Sequence, residues 1–176
     1  CSTGIFDREA WDSDGDTQTP GGEGILRSYD GGETWHQANT GINKLYIGYL
    51  EMHPENPQII YAAEGNFIYG SKGHIYKTTD GGKTWEQLLF VDDISGAVDL
   101  VLDPNNPEVL YASTWQLQRT PYSLESGGPG SKLFKSSNGG KTWEELSSKA
   151  SFPKGVLGIM GIAVSPKNSN RLYAII

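Results

Sequence analysis

Acidic side chains near the amino terminus have a spacing that could hold a hard cation. Four carboxylates fall at positions 1, 3, 5 and 12 of a loop, the spacing with which oxygen ligands converge on calcium. Thr17 stands where such a loop needs glycine, however, and no helical pattern flanks it. Calcium binding is one interpretation, and an acidic, solvated loop is the other, which these departures favour. The four carboxylates are Asp12, Asp14, Asp16 and Glu23.

A second acidic group precedes this loop and has residue types suited to acid–base chemistry. Asp7 and Glu9 flank Arg8, and Trp11 follows them. Glycoside cleavage uses a carboxyl group beside a sugar-stacking ring, with a second carboxylate ~5–10 Å away. Asp7 and Glu9 are therefore catalytic candidates, and Arg8 and Trp11 are candidate ligand contacts. A structural ion pair with Arg8 explains the same three charges equally well.

A third stretch, residues 115–131, combines aromatic, charged and polar residues with glycine. Aromatic rings stack on ligands and charged groups orient them, so this composition suits a carbohydrate or peptide ligand. The three histidines of the sequence have no metal-ligand spacing, and no Ser–His–Asp order is recognisable. The candidate ligand contacts are Trp115, Arg119, Tyr122 and Glu125.

An eight-residue motif that occurs three times, at 28–35, 78–85 and 136–143, predicts the elements that position these groups. Its Asp-Gly-Gly core is a tight-turn signal, because glycine adopts positive φ and aspartate accepts hydrogen bonds from downstream backbone N–H groups. Its tryptophan opens the next strand and covers the turn. The third copy has asparagine, which indicates a hydrogen-bonding role rather than acid–base chemistry. The motif residues are Asp30, Asp80 and Asn138 with Trp35, Trp85 and Trp143.

A second repeat, rich in proline and asparagine, alternates with the first at 53–62, 103–112 and 165–174. Proline cannot continue a strand ladder, so each copy predicts a turn between two apolar strands. The two repeats together give units of four short strands. In the two complete units the predicted strands span 46–52, 58–64, 73–79 and 85–91, then 97–103, 109–116, 132–137 and 143–147.

Four antiparallel strands per unit, without helical periodicity, predict an all-β fold, a β-propeller segment of about three four-stranded blades in an incomplete ring. The predicted organisation is a partial blade 1–41, blades 42–93 and 94–150, and a partial blade 151–176. Three periods do not close a ring of about four to eight blades. Further blades, from the same chain or another copy, are therefore expected partners. Cys1 is interpreted as a strand residue, with a lipidated amino terminus as the alternative.

The eight-residue motif resembles the Asp-box, or BNR repeat, of sialidases, sortilin-type receptors and xyloglucanase-like glycosyl hydrolases. The resemblance implies a propeller with its Asp-boxes on hairpins away from the active face, in a secreted, periplasmic or cell-surface protein. Non-repeating loops at about 5–23, 65–72 and 117–131 would then form the functional face. Two functions stay open: a scaffold binding a glycan or protein, and a glycoside hydrolase using Asp7 or Glu9.

Composition excludes some partners. The net charge is -7, and residues 1–33 carry eight acidic groups against two arginines. Nucleic acid is therefore not an expected partner, because its binding needs a basic surface. No apolar run approaches the ~20 residues of a membrane-spanning helix. The single cysteine excludes an intrachain disulfide.

Overall fold

The computed structural model of the 176-residue chain describes residues 2–3, 23–65, 74–120 and 122–176. Within those ranges the regular elements are strands in four antiparallel sheets. The first sheet contains β1 (Ser2–Thr3), β2 (Gly24–Arg27) and β3 (His36–Gln37). The second contains β4 (Ile47–Met52), β5 (Ile60–Glu64), β6 (His74–Thr78) and β7 (Glu86–Phe90).

The third and fourth sheets continue this order. The third contains β8 (Ser95–Asp103), β9 (Asn106–Arg119), β10 (Leu124–Ser126), β11 (Leu133–Ser136) and β12 (Glu144–Glu145). The fourth contains β13 (Gly161–Val164) and β14 (Leu172–Ile175). Neighbouring strands follow chain order in the second sheet, as in an up-and-down blade. The prediction of an all-β propeller segment with an open ring is confirmed, whereas the four blade boundaries stay a prediction.

Three buried clusters lie between successive sheets. Ile25 of the first sheet packs with Ile47 and Trp85 of the second. The next cluster joins the second and third sheets, and the last joins the third and fourth. The second and third sheets are therefore apolar on both faces, which explains the near-continuous apolar runs of β5 and β9. The last two clusters include Tyr61, Ile75, Leu100 and Leu110, and then Tyr111, Leu133, Met160 and Ile162.

The three glycine turns share one hydrogen-bond pattern. Asp80 Oδ1 accepts the backbone N–H of Thr84 at 3.0 Å, and its Oδ2 accepts the Thr84 hydroxyl at 2.6 Å. The Thr78 hydroxyl oxygen accepts the N–H of Gly82 at 2.9 Å, while Gly81 and Gly82 adopt φ of 71° and 87°. Asp30 accepts the equivalent N–H of Thr34 at 2.9 Å, and Asn138 accepts the N–H of Thr142 at 2.9 Å. These donated bonds, led by the Thr84 hydroxyl, hold the pKa of Asp80 well below its usual range.

In the first and second sheets, a basic residue reaches the glycine turn of the next sheet. Arg27 of β2 donates a hydrogen bond to the carbonyl oxygen of Gly81. Lys77 of β6 repeats this contact with the carbonyl of Gly139 at 3.0 Å. We call this contact the cation link. The second and third glycine turns therefore serve two purposes, because each closes its own hairpin and presents a carbonyl to the preceding sheet.

The tryptophans of the motif also contact the preceding sheet. Trp85 Nε1 donates to the carbonyl of Ala38 at 2.7 Å, and its side chain is buried. Trp143 packs on the cluster that contains Leu88. Trp35 has no preceding sheet among the described residues, and it is 48% exposed. Exposure of this side chain thus follows from the order of the sheets.

We expect Asp80→Ala to lower the urea midpoint of unfolding at pH 7 more than Asp80→Asn, because asparagine retains the acceptor oxygen that Asn138 uses. The pKa of Asp80 is lowered, so its stabilising contribution exists above the ordinary value of 3.8 and is lost as the pH falls through the lowered value. The difference in urea midpoint between the wild type and Asp80→Ala should therefore become smaller below about pH 4. Glu86→Ala, an exposed charge on β7, is the control. Equal midpoints for the alanine and asparagine variants at pH 7 would contradict this role.

Candidate functional site

The connections between strands fall on two opposite edges of the sheets. In the second sheet, residues 53–59 and 79–85 join strands at one edge, which we call the turn face. The β5–β6 connection leaves the other edge, which we call the loop face, as does the connection from β9 to β11. Turn-face connections repeat along the chain, whereas loop-face connections differ in length and sequence. A rigid scaffold with divergent loops on one face is where binding sites tend to occur.

The longest described projection of the loop face is the β9–β10 hairpin. Its strands pair through Leu124 with Arg119 and Glu125 with Gln118. The turn is closed by the N–H of Thr120, which donates to the carbonyl of Ser123 at 2.8 Å. β9 has 14 residues against five in β5, so the hairpin extends well beyond the sheet. Its tip presents a large aromatic ring, because Tyr122 is 98% exposed, and Leu124 beside it is 61% exposed.

Buried polar groups hold the base of this hairpin. The Thr114 hydroxyl donates to the carbonyl of Gly130 at 2.7 Å, and Gln116 Oε1 accepts the N–H of Gly130 at 3.0 Å. Ser131 Oγ accepts the N–H of Gln116 at 3.0 Å. A Cβ at Gly128 would lie 2.5 Å from the end of the Gln116 side chain, so a larger residue there would displace the amide that accepts the Gly130 N–H. These bonds fix the direction in which the hairpin leaves the sheet before any ligand arrives.

A small polar cleft of about 330 Å³ adjoins the hairpin base. Lys132 Nζ and Glu145 Oε2 form an ion pair across 2.9 Å at its wall. Gly128, Ser131 and Val156 complete the lining. The cleft offers both a cation and an anion together with exposed aliphatic surface, since Val156 is 81% exposed.

Glu64, the last residue of β5, is a carboxyl group inside the loop-face end of the second sheet. Its side chain is fully buried, and Tyr76 donates a hydroxyl bond to Oε2 at 3.0 Å. Oε1 has no hydrogen-bond partner among the described residues. Burial raises the pKa of Glu64 to about 8 despite Tyr76 and the nearby Lys44, so the group is largely protonated at neutral pH. A buried carboxylic acid with a free oxygen can donate a hydrogen bond, as an ionised one cannot.

Sequence reasoning did not identify Glu64. The available signal is its place in the repeat, because β5 ends with a glutamate where β9 has Thr114. Carboxyl groups are seldom fully buried, so an acidic residue at a strand position that is apolar or neutral elsewhere stands out. Burial itself depends on packing around the end of β5, beside Tyr76 of β6, which the sequence does not display.

The candidate ligand contacts of the third stretch separate in the structure. Tyr122 and Glu125 are exposed on the hairpin, whereas Trp115 is 9% exposed on β9. Arg119 is the last residue of β9, opposite Leu124. The hairpin thus brings together Tyr122, Glu125 and the end of β9, and it leaves the ring of Trp115 inside.

The amino-terminal candidates lie mostly outside the described residues. Glu23 alone is described, and its Oε2 accepts a hydrogen bond from Gln37 Nε2 at 2.6 Å. Across residues 23–65, 74–120 and 122–176, no three His, Cys, Asp or Glu side chains form a group suited to a metal ion. The catalytic, ligand-binding and calcium assignments therefore stay predictions. The residues outside are Asp7, Arg8, Glu9, Trp11, Asp12, Asp14 and Asp16.

No helix in the described part of the chain is long and apolar enough to cross a bilayer.

Stability should depend on the protonation of Glu64. The folded state binds its proton up to about pH 8, whereas the unfolded chain releases it near 4.5, so stability is expected to fall as the pH rises between these values. Glu64→Gln should reduce that slope by up to about 1.4 kcal/mol per pH unit. Urea unfolding from pH 5 to 9 measures the slope of stability against pH, and Glu86→Gln, at an exposed residue, is the control. An unchanged slope in Glu64→Gln would contradict the assignment.

Comparison with solved structures gives matches among propeller enzymes. An ancestral GH74 enzyme aligns with a TM-score of 0.60 and 20% identity over 86% of this chain. The GH74 enzyme of Niastella koreensis aligns with a TM-score of 0.60 and 25% identity over 85% of this chain. The GH74 xyloglucanase of Xanthomonas campestris aligns with a TM-score of 0.53 and 20% identity over 79% of this chain. The alignments cover 19%, 21% and 20% of those chains, respectively, so this chain spans about a fifth of their length.

Comparison with sequence families gives a match of similar extent. A search of curated proteins finds no match. The family model Sortilin-Vps10, described as sortilin, neurotensin receptor 3, matches residues 23–174. The match covers both repeats and all four sheets except β1. The chain therefore belongs to the Sortilin-Vps10 family.

Proposed function

We propose that this chain is part of a larger β-propeller that binds a glycan or protein ligand through its loop face. The observation that carries the proposal is the β9–β10 hairpin, which projects Tyr122 from a buried, hydrogen-bonded base. Propeller segments of the sortilin and glycosidase type supply the scaffold, and the loops supply the contacts.

The chemistry of the hairpin favours binding over a purely structural role. An exposed tyrosine offers a flat apolar face and a hydroxyl group, which suit both sugar rings and protein surfaces. Glu125, exposed on β10, adds a charge beside it, and the adjoining cleft contributes the Lys132–Glu145 pair. Since the hairpin is held before binding, little conformational entropy is lost when it is buried.

The proposal includes further blades and export. The chain spans about a fifth of the GH74 chains that it resembles, and its four sheets leave the ring open. Additional blades, from the same chain or another copy, would complete the ring and the loop face. Secretion, a periplasmic location or display at the cell surface follows from the family likeness alone.

A glycoside hydrolase is the second candidate, and the GH74 likeness favours it. Asp7 and Glu9 would supply carboxylates, with a partner 5–10 Å away in this segment or in another blade. The buried acid Glu64 is already protonated, as a general acid must be, but it is not solvent-exposed. Hydrolysis of a polysaccharide panel by the complete propeller, lost in Glu9→Gln, separates this candidate from the first. A lack of turnover would exclude it.

Tyr122→Ala should weaken ligand binding at least about tenfold, because it removes the exposed ring of the hairpin. Affinity electrophoresis in gels containing xyloglucan is the glycan test, and selection of peptides from a displayed library is the protein test. Tyr29→Ala, a 70% exposed tyrosine on the turn face, is the matched control and should bind like the wild type. Equal binding by both variants to every captured ligand would contradict the loop-face assignment.

A further inference from the structure

The polar cleft at the hairpin base has two walls that backbone contacts hold in place. Its volume is about 330 Å³. Gly128, Pro129 and Ser131 form one wall, and residues 155–157 of the β12–β13 connection form the other. The walls meet where the N–H of Gly128 donates to the carbonyl of Leu157 at 3.1 Å. The shape of the cleft is therefore set before any ligand arrives.

Glycine at position 127 permits the close approach of the two walls. Gly127 has a φ of 117°, and a Cβ there would lie 2.5 Å from the carbonyl oxygen of Leu157. The same Cβ would lie 3.0 Å from Val156 Cγ1. A side chain at this position would therefore push residues 156–157 away from the hairpin. Val156, held in this place, keeps most of its side chain exposed and gives its wall an aliphatic surface.

An ion pair supplies the charged groups of the cleft. Lys132 Nζ lies 2.9 Å from Glu145 Oε2, and the two side chains are 31% and 30% exposed. Ser147 Oγ donates to Glu145 Oε1 at 3.1 Å and accepts the N–H of Leu133 at 3.3 Å. Glu145 is therefore fixed through both oxygens. In the part of the chain that the structure describes, the Lys132 ammonium group donates only to Glu145, which leaves it further protons for a ligand.

A buried hydroxyl group adds a third polar contact. Ser131 lines the cleft and is 2% exposed. Its Oγ accepts the N–H of Gln116 at 3.0 Å, whereas its own proton has no acceptor among the described residues. A buried hydroxyl that donates to nothing costs free energy. The Ser131 proton therefore indicates that an acceptor enters the cleft.

These groups suit a neutral ligand with several hydroxyl groups. A charged ligand would have to displace one member of the ion pair and leave the other without its partner. A hydroxyl group both donates and accepts, so one of two vicinal hydroxyls can donate to Glu145 while the other accepts from Lys132. We propose that the cleft binds one pyranose unit of a glycan through such a vicinal diol. The C–H face of the ring packs against Pro129 and Val156, and the inference rests on the proposed function.

The size of the cleft agrees with a single sugar ring. A volume of about 330 Å³ is at the lower end for small-molecule sites, so one ring fits and an oligosaccharide does not. Residues 122–126 of the adjoining hairpin are exposed, which lets further units of the glycan extend over them. The described lining of the cleft contains no aromatic ring to stack on the sugar, so we expect millimolar affinity for one unit.

The test is saturation-transfer NMR of the whole chain with the methyl glycosides of glucose, galactose, mannose and xylose. At least one of them should bind saturably, and Lys132→Met and Glu145→Gln should each weaken that binding at least about tenfold, because each removes a charged hydrogen-bonding group. Lys149→Met and Glu144→Gln are matched controls, since these residues form an exposed ion pair across 2.7 Å that does not line the cleft. Binding of none of the glycosides, or equal binding by Lys132→Met and Lys149→Met, would overturn the proposal.

Reversal of the ion pair distinguishes a diol from a peptide. Lys132→Glu alone should abolish binding of the glycoside. Lys132→Glu combined with Glu145→Lys should restore it to within about threefold of the wild type, because two hydroxyls can exchange the roles of donor and acceptor. The N–H and carbonyl of a peptide cannot exchange these roles. Circular dichroism establishes that the double variant is folded, and a folded double variant without glycoside binding would overturn the proposal. The single variants decide the matter if it is not folded.

The outcome is separable from that of the proposed function. Tyr122 does not line the cleft, so Tyr122→Ala should bind the methyl glycosides like the wild type. Capture of larger ligands that is lost in Tyr122→Ala, without binding of any methyl glycoside, would support the proposed function and overturn this inference. Saturable glycoside binding that depends on Lys132, with ligand capture unaffected by Tyr122→Ala, would support this inference and contradict the role of the hairpin tip.

Discussion

The glycine turn is the constraint on which the arrangement of the sheets depends. Its acceptor side chain, Asp30, Asp80 or Asn138, binds the backbone N–H of a threonine four residues on. The glycines beside it adopt positive φ, which leaves a carbonyl oxygen pointing away from the hairpin. In the second and third turns, a basic side chain of the preceding sheet binds that carbonyl in the cation link. The local turn chemistry thereby becomes a contact between sheets.

The connections of the turn face and those of the loop face differ in how closely they repeat. The glycine turns of the turn face are uniform, and the second and third of them make the same contact with the preceding sheet. The loop-face connections do not repeat this contact in the part of the chain that the structure describes, and their sequences diverge. The β9–β10 hairpin uses this freedom, since it departs from a base fixed by Thr114, Gln116 and Ser131. Binding at one face therefore need not disturb assembly at the other.

Repeats made much of the fold predictable from the sequence. The strands predicted at 46–52 and 73–79 are observed at Ile47–Met52 and His74–Thr78, because turn residues mark both ends of each. β9 is longer than its predicted 109–116, since β10 pairs with residues that were expected to form a loop. That pairing depends on a turn at Thr120–Ser123 without a glycine signal.

The candidate site was less predictable, for physical reasons. The exposure of Tyr122 follows from hairpin length, which the repeats do not specify. Trp115 is of an aromatic residue type that often contacts ligands, but its side chain faces the interior because side chains alternate along a strand. Glu64 has a raised pKa because packing buries its carboxyl group, although Tyr76 of the neighbouring strand β6 donates a hydrogen bond to it. Residue type suggests chemistry in each case, whereas packing decides whether the group reaches solvent.

The most direct test of the account is a double-mutant cycle between the second and third sheets. Lys77→Met removes the donor of the cation link, and Asn138→Ala removes the side chain that shapes the turn carrying its acceptor, Gly139. Free energies of unfolding for the wild type, both single variants and the double variant give the coupling. We predict a coupling of more than roughly 0.5 kcal/mol, because the second change has less to disrupt once the link is gone. Additivity within about 0.3 kcal/mol would contradict the account.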